Sequence, residues 1–163
     1  MNPKPNPSNA VSGKTIEESI AGVLKEAGFK KKGTTWHLNA HECIGVVNLQ
    51  KSQWGEQYYI NLGVLLKRLA PGVIPNESQC HIRERLSEIV PNKSQCEKTL
   101  NLEESFPTQQ RIAIITGMLR EHALPFLLSL ESSDGIRKVL RSGRLRPSVV
   151  TLSAKKFLKL PLD

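Results

Sequence analysis

Gly28–Val64, GFKKKGTTWHLNAHECIGVVNLQKSQWGEQYYINLGV, is the stretch on which the fold turns. It reads as three successive strands, Lys30–Leu38, His41–Ser52 and Gln57–Lys67. In the second, Cys43, Gly45, Val47 and Leu49 alternate with Ile44, Val46, Asn48 and Gln50. In the third, Tyr58, Ile60, Leu62, Val64 and Leu66 share one side. A period of two is the mark of a pleated strand with two unlike faces. Asn39–Ala40 and Trp54–Glu56 are short enough to be turns, so the strands should form an antiparallel meander.

Helical spacing flanks this block. In Thr15–Ala27, Ile16, Ile20, Val23 and Leu24 make one apolar stripe. Thr15 and Glu18 suggest a capping box, and Gly28 a left-handed stop. Pro71, Gly72, Pro75 and Asn76 make Leu69–Ser78 a loop. Cys80–Val90 fits a strand or a helix equally, and Pro91–Ser105 reads as a polar loop. Pro107–Leu130 is the longest helical pattern, with Pro125 expected to kink it. Asp134–Ser142 is a short helix, Val149–Leu152 a candidate strand and Lys155–Leu160 a basic-apolar tail. The expected fold is α+β: an antiparallel meander of three to five strands with helices packed on one face. The expected organisation is a disordered arm over 1–13, one domain over 14–143 and a basic C-terminal segment over 144–163.

Composition bounds the chemistry. The chain has 163 residues, one domain's worth. Its apolar runs are too short to predict a membrane span, a mean hydropathy of −0.30 suits a soluble globular protein, and an odd number of cysteines suits reduced thiols in a cytoplasmic one. Three cysteines, Cys43, Cys80 and Cys96, make no disulfide framework. The 23 Lys and Arg exceed the 15 Asp and Glu by eight. Eight cations fall within 136–162 (Arg137, Lys138, Arg141, Arg144, Arg146, Lys155, Lys156 and Lys159), where there is no carboxylate. That asymmetry points to an anionic partner. Asp134 and Asp163 are the only aspartates, which argues against a Ser-His-Asp triad and an Asp-lined magnesium site. Glu42 and Glu56 have no defined partner for acid–base work. His37, His41, Cys43, Cys80 and His81 match no zinc spacing, so no metal and no cofactor is expected. Ser12-Gly13-Lys14-Thr15 imitates the end of a phosphate loop, but Ser8 stands where its first glycine belongs. His122 reads as a core histidine.

Three groups remain as candidates. The sheet face away from the helices should carry Asn48, Gln50, Ser52, Tyr59 and Asn61, with Trp36, Trp54 and Tyr58 as anchors at its rim. Alternation alone also yields a merely polar face, although Asn and Gln are unusual on strands. His81, Arg83 and Arg85, on a strand, would line one face and add an anion-binding groove. Arg137, Lys138, Arg141, Arg144 and Arg146 could bind phosphates, although Phe157 alone offers no stacking platform there.

Gly28-Phe29-Lys30-Lys31-Lys32-Gly33, Trp36, Val47–Gly55, Ile60–Val64 and Cys80–Leu86 together resemble a bacterial family. It is the domain-of-unknown-function family numbered four-three-zero-four. The resemblance covers roughly residues 15–130. It implies a small cytoplasmic domain without assigned catalytic residues, and it favours a strand over Cys80–Leu86. Three functions are therefore expected in order. The first is a non-enzymatic binding domain for a protein or an extended polar ligand, of which an immunity-like role is one version. The second is nucleic-acid binding by the basic segment. The third is an enzyme holding an anionic substrate at His81, Arg83 and Arg85.

Overall fold

The structure, a computed structural model, describes residues 12–162. The arm expected over 1–13 lies, up to Val11, outside the described residues. Helix α1 (Gly13–Glu26) begins earlier than the capping pattern suggests. Ser12 occupies the N-cap and Thr15 lies inside the first turn, so no Thr15–Glu18 box forms. The Ile16, Ile20, Val23 and Leu24 stripe is buried as its spacing requires.

The first expected strand is in fact a hairpin, β1 (Lys30–Lys32) and β2 (Thr35–Asn39). A two-residue turn separates them, and Gly33 supplies its positive φ of 61°. β3 (Cys43–Lys51), β4 (Tyr58–Leu66) and β5 (Ile82–Arg85) complete an antiparallel sheet in the order β1-β2-β3-β4-β5. The ambiguous Cys80–Val90 is both things in turn: β5, then a helical turn α2 (Leu86–Ile89). The polar loop expected over Pro91–Ser105 contains a helix, α3 (Lys93–Thr99). Asn92 caps it by accepting from the Gln95 N–H. Only Cys96 and Thr99 turn inward, too few to leave an apolar stripe in the sequence.

The long helix is continuous but not uniform. α4 (Thr108–Met118) widens into a π-helical segment over Leu119–Ala123 before α5 (Leu124–Ser129). The wide turn sits immediately before Pro125, which has no N–H and would clash with a carbonyl one regular turn back. Thr108–Ser129 spans 22 residues with a mean hydropathy of 1.2, enough in length and composition to cross a membrane. Here its Ile115, Leu119, Phe126 and Leu127 lie in the same core as α1 and the sheet. α6 (Ser133–Arg141) and α7 (Leu152–Leu158) follow.

The helices cover the sheet face that carries Val47, Leu49, Ile60, Leu62 and Val64. Each such side chain contributes about 1.5–3 kcal/mol on leaving water. The basic segment after Gly143 belongs to this core, contributing Leu145, Val150, Ala154 and Leu158. Instead of the candidate strand over Val149–Leu152 there is a single bridge, Val150 to Ile82, backed by Thr151 N–H to His81 O at 2.9 Å.

One buried ion stands out. Arg111 is 2% exposed, with its guanidinium donating to the carbonyls of Thr99, Asn101 and Glu104 and lying 5.1 Å from the Phe106 ring. It clamps the Thr99–Phe106 connection onto α4. Burial lowers its affinity for its proton.

The second sheet face is not uniformly open. Ile44, Val46, Leu65 and Cys80 form a separate small core beneath Ala70 and Val73 of the Lys67–His81 loop. Three anchors hold that loop. His37 Nε2 donates to Pro75 O at 2.5 Å. Arg83 makes a two-point ion pair with Glu77, at 2.9 and 3.1 Å. Cys80 packs over Gly63, where a Cβ would lie 2.7 Å from the Cys80 sulfur.

Candidate functional site

Strand register assembles the site. On the second face, Lys32 lies opposite Thr35, Thr35 opposite Asn48, Asn48 opposite Asn61 and Asn61 opposite Arg85. One row of polar side chains therefore crosses all five strands, with a cation at each end. Gln50 and Tyr59, also directly opposed, form the start of the next row.

The amides in the row bond to one another in one direction. Asn61 Nδ2 donates to Asn48 Oδ1 at 3.2 Å and to Gln50 Oε1 at 2.9 Å. Asn48 Nδ2 then donates to Thr35 Oγ1 at 3.0 Å. Asn61 forms the floor, only 7% exposed, with Asn48 half-buried and Gln50 exposed. Because Gln50 accepts through its oxygen, its –NH2 is the end left to face solvent. The Arg85 guanidinium carbon sits 4.0 Å from the Tyr59 ring centroid, a stacking contact that holds the guanidinium over the face.

At β5 this face turns a corner into a cleft of about 690 Å³. Gln50, Asn61, Arg83 and Arg85 line one side, and Arg146, Ser148, Val149 and Thr151 the other. Arg146 grips the Glu84 carboxylate with both oxygens at 2.9 Å, and Glu84 is 8% exposed. Glu88, on the cleft wall, pairs with Lys93 at 2.5 Å. That pair holds the Glu88 carboxyl below its usual range.

Several side chains singled out in the sequence lie elsewhere. Trp36 is no rim anchor: it opposes Val47, points beneath the helices and is 1% exposed. Tyr58 lies on that same covered side, against Gly13 at the start of α1. Trp54 is at the β3–β4 turn, 88% exposed, with its backbone N–H donating to Ser52 Oγ at 3.1 Å. His81 stands outside β5, and its Nδ1 accepts the Leu66 N–H at 2.9 Å instead of joining Arg83 and Arg85 in the cleft. Burial lowers its pKa, keeping it in the neutral form that acceptance requires.

The basic segment is likewise divided. Only Arg146 reaches the cleft. Arg137 binds Asp134 and the Leu158 carbonyl, Arg141 the Arg137 carbonyl and Arg144 the Ser142 hydroxyl. Lys138 lies on α6 between them. The acid–base candidates are also occupied: Glu42 accepts the Ser133 N–H at 2.6 Å and Glu56 pairs with Lys51. Cys43 and Cys80 belong to cores on opposite faces of the sheet, so the His37, His41, Cys43, Cys80 and His81 group is divided between them. Burial pushes the thiols of Cys43, Cys80 and Cys96 up to about 12, so they stay protonated and unreactive near neutral pH.

The sheet and its long covering helix coincide with a known sequence family. The model of a domain of unknown function (DUF4304) matches residues 20–129, about two-thirds of the chain. The chain belongs to that family. The match includes every residue of the polar row and ends before Arg146, so the far wall of the cleft comes from outside it. No curated protein and no solved structure matches the chain.

Proposed function

We propose that this DUF4304 domain is a non-enzymatic binding module that recognises an extended segment of a partner protein on the open half of its sheet. The observation that carries the reading is the hydrogen-bonded row Thr35–Asn48–Asn61–Arg85 on the face the helices leave bare. Interlocked amides have fixed orientations, so they present directional groups at low entropic cost when a ligand arrives. The side chains that would perform acid–base or nucleophilic work are committed to structural contacts or kept protonated by burial.

The test is photo-crosslinking from Gln50 on the open face and from Gln109 on α4. A partner should be captured from position 50 and not from 109. Combining Asn48→Ala, Gln50→Ala and Asn61→Ala should weaken binding while the far-UV spectrum stays native. Equal capture from both positions, or unchanged affinity of the triple variant, would remove this reading.

A further inference from the structure

We propose that Arg85 and Gln50 form a carboxylate-binding subsite that receives an acidic side chain of the partner segment. The inference rests on the recognition role proposed above and names its chemistry.

Hydrogen-bond direction is the first argument. The internal chain of bonds engages the amide oxygens of Asn48 and Gln50. The –NH2 of Gln50 is the end of that amide outside the chain of bonds, and Arg85 beside it is purely a donor. Where these two donors converge, an acceptor is selected.

Charge is the second. Around the cleft stand four cations, Arg83, Arg85, Arg146 and Lys93, and three carboxylates, Glu77, Glu84 and Glu88. Each carboxylate is already paired, Glu77 with Arg83, Glu84 with Arg146 and Glu88 with Lys93. Among the described residues Arg85 has no carboxylate in ion-pair contact, so the single excess positive charge resides there. A monoanion balances it. A phosphate dianion or a nucleic-acid backbone would bring surplus negative charge against three fixed glutamates.

Shape is the third. Stacking on Tyr59 holds the guanidinium flat and leaves its edge free. A guanidinium edge matches the two oxygens of a carboxylate in a planar, two-point contact. Asn61 and Tyr59 form the floor between the two donors, directly across from Arg85 and Gln50 respectively. A side chain reaching down from a bound segment can enter here, and an Asp or Glu supplies the required group.

The experiment uses acetylated, amidated glycine-serine peptides that differ only in a central Glu, Gln or phosphoserine. Each is titrated into isotope-labelled full-length protein, reading the Arg85 Nε–H and Gln50 –NH2 resonances. The Glu peptide should shift both saturably, and the Gln peptide should bind about tenfold more weakly or less. Arg85→Gln should cost about tenfold in affinity for the Glu peptide, Tyr59→Leu about threefold, and Arg137→Gln nothing. Equal binding of the Gln peptide, tighter binding of the phosphoserine peptide, or unchanged affinity in Arg85→Gln would each overturn the proposal. If the Asn48 and Asn61 amides respond to every peptide while Arg85→Gln has no effect, the carboxylate subsite fails and the recognition face stands. If no resonance on the face responds to any peptide, both fail.

Discussion

Two adjacent rows of the same sheet face meet opposite fates. His37, Val46, Gly63 and Arg83 oppose one another across β2 to β5, and the Lys67–His81 loop is fastened to that row at His37, Gly63 and Arg83. One repeat further along the strands, about 7 Å away, Thr35, Asn48, Asn61 and Arg85 form a row the loop does not cover. The backbone is the same in both. Side-chain chemistry decides where the sheet is sealed: in the covered row Val46 and Gly63 take apolar contact while His37 and Arg83 bond the loop itself, whereas an amide row gains from cover only if every group keeps a partner. The boundary between structure and recognition surface therefore falls between Val46 and Asn48 on one strand, and between Gly63 and Asn61 on its neighbour.

Moving that boundary should produce the largest effect. Val46 is fully buried. Val46→Asn gives up its burial and places an amide with no partner beneath the loop, at a cost of about 3–4 kcal/mol. Chemical denaturation should show this loss, and hydrogen exchange should show the loop deprotected ahead of the helices.

Next in size is Gly63→Ala. Here the added methyl meets the Cys80 sulfur and Cβ, at 2.7 and 3.0 Å. Overpacking of this kind costs about 1–3 kcal/mol. The loss should concentrate in the loop, and Cys80 should become accessible to a thiol reagent while Cys96, in the other core, stays protected.

Which of these features could be read beforehand follows the same division. The meander and its covered face were legible because Val47, Leu49, Ile60, Leu62 and Val64 keep strict alternation. Ile44 and Val46, apolar in the opposite phase, carry a signal that β3 is buried on both sides at one end, and the reading of an open polar face passed over it. What covers them was not legible, since a Pro- and Gly-rich loop carries no periodicity and its destination is a tertiary matter. Trp36 was misplaced because an aromatic on a strand can anchor a rim or fill a core, and with Lys30–Leu38 read as a single strand nothing revealed the register that sets it opposite Val47. α3 was missed because helices held by a cap and two inward side chains leave no stripe. Arg146 in the cleft had no local signal, standing 62 residues from its partner Glu84.

Acid should loosen the sealed half in a graded way. The folded structure depresses the His81 pKa from the ordinary 6.5, because burial disfavours the imidazolium. The neutral ring accepts the Leu66 N–H where the loop returns to the sheet. Its contribution is complete above about pH 6.5 and is lost as pH falls through the depressed folded value, since the unfolded chain then binds the proton more readily. Stability measured from pH 7 to 5.5 should decline in the wild type and decline less in His81→Asn. Parallel curves for the two proteins would assign the decline to other groups.

The smallest effect on stability should come from the open row, where the difference between the halves is tested most sharply. Asn48→Val removes one bond to Asn61, one to Thr35 and a long one, 3.4 Å, to the Thr34 carbonyl, yet Asn61 keeps Gln50 as an acceptor, the Thr34 carbonyl keeps the Leu49 N–H and the Thr35 hydroxyl can turn to water. Valine also suits a strand better than asparagine. These terms oppose one another, so unfolding free energy should change by less than about 1 kcal/mol, while partner binding should fall sharply. A loss comparable to that of Val46→Asn would mean that the amide row holds the sheet together. The two halves would then share one structural task, and the polar row would be part of the scaffold instead of a surface kept for a visitor.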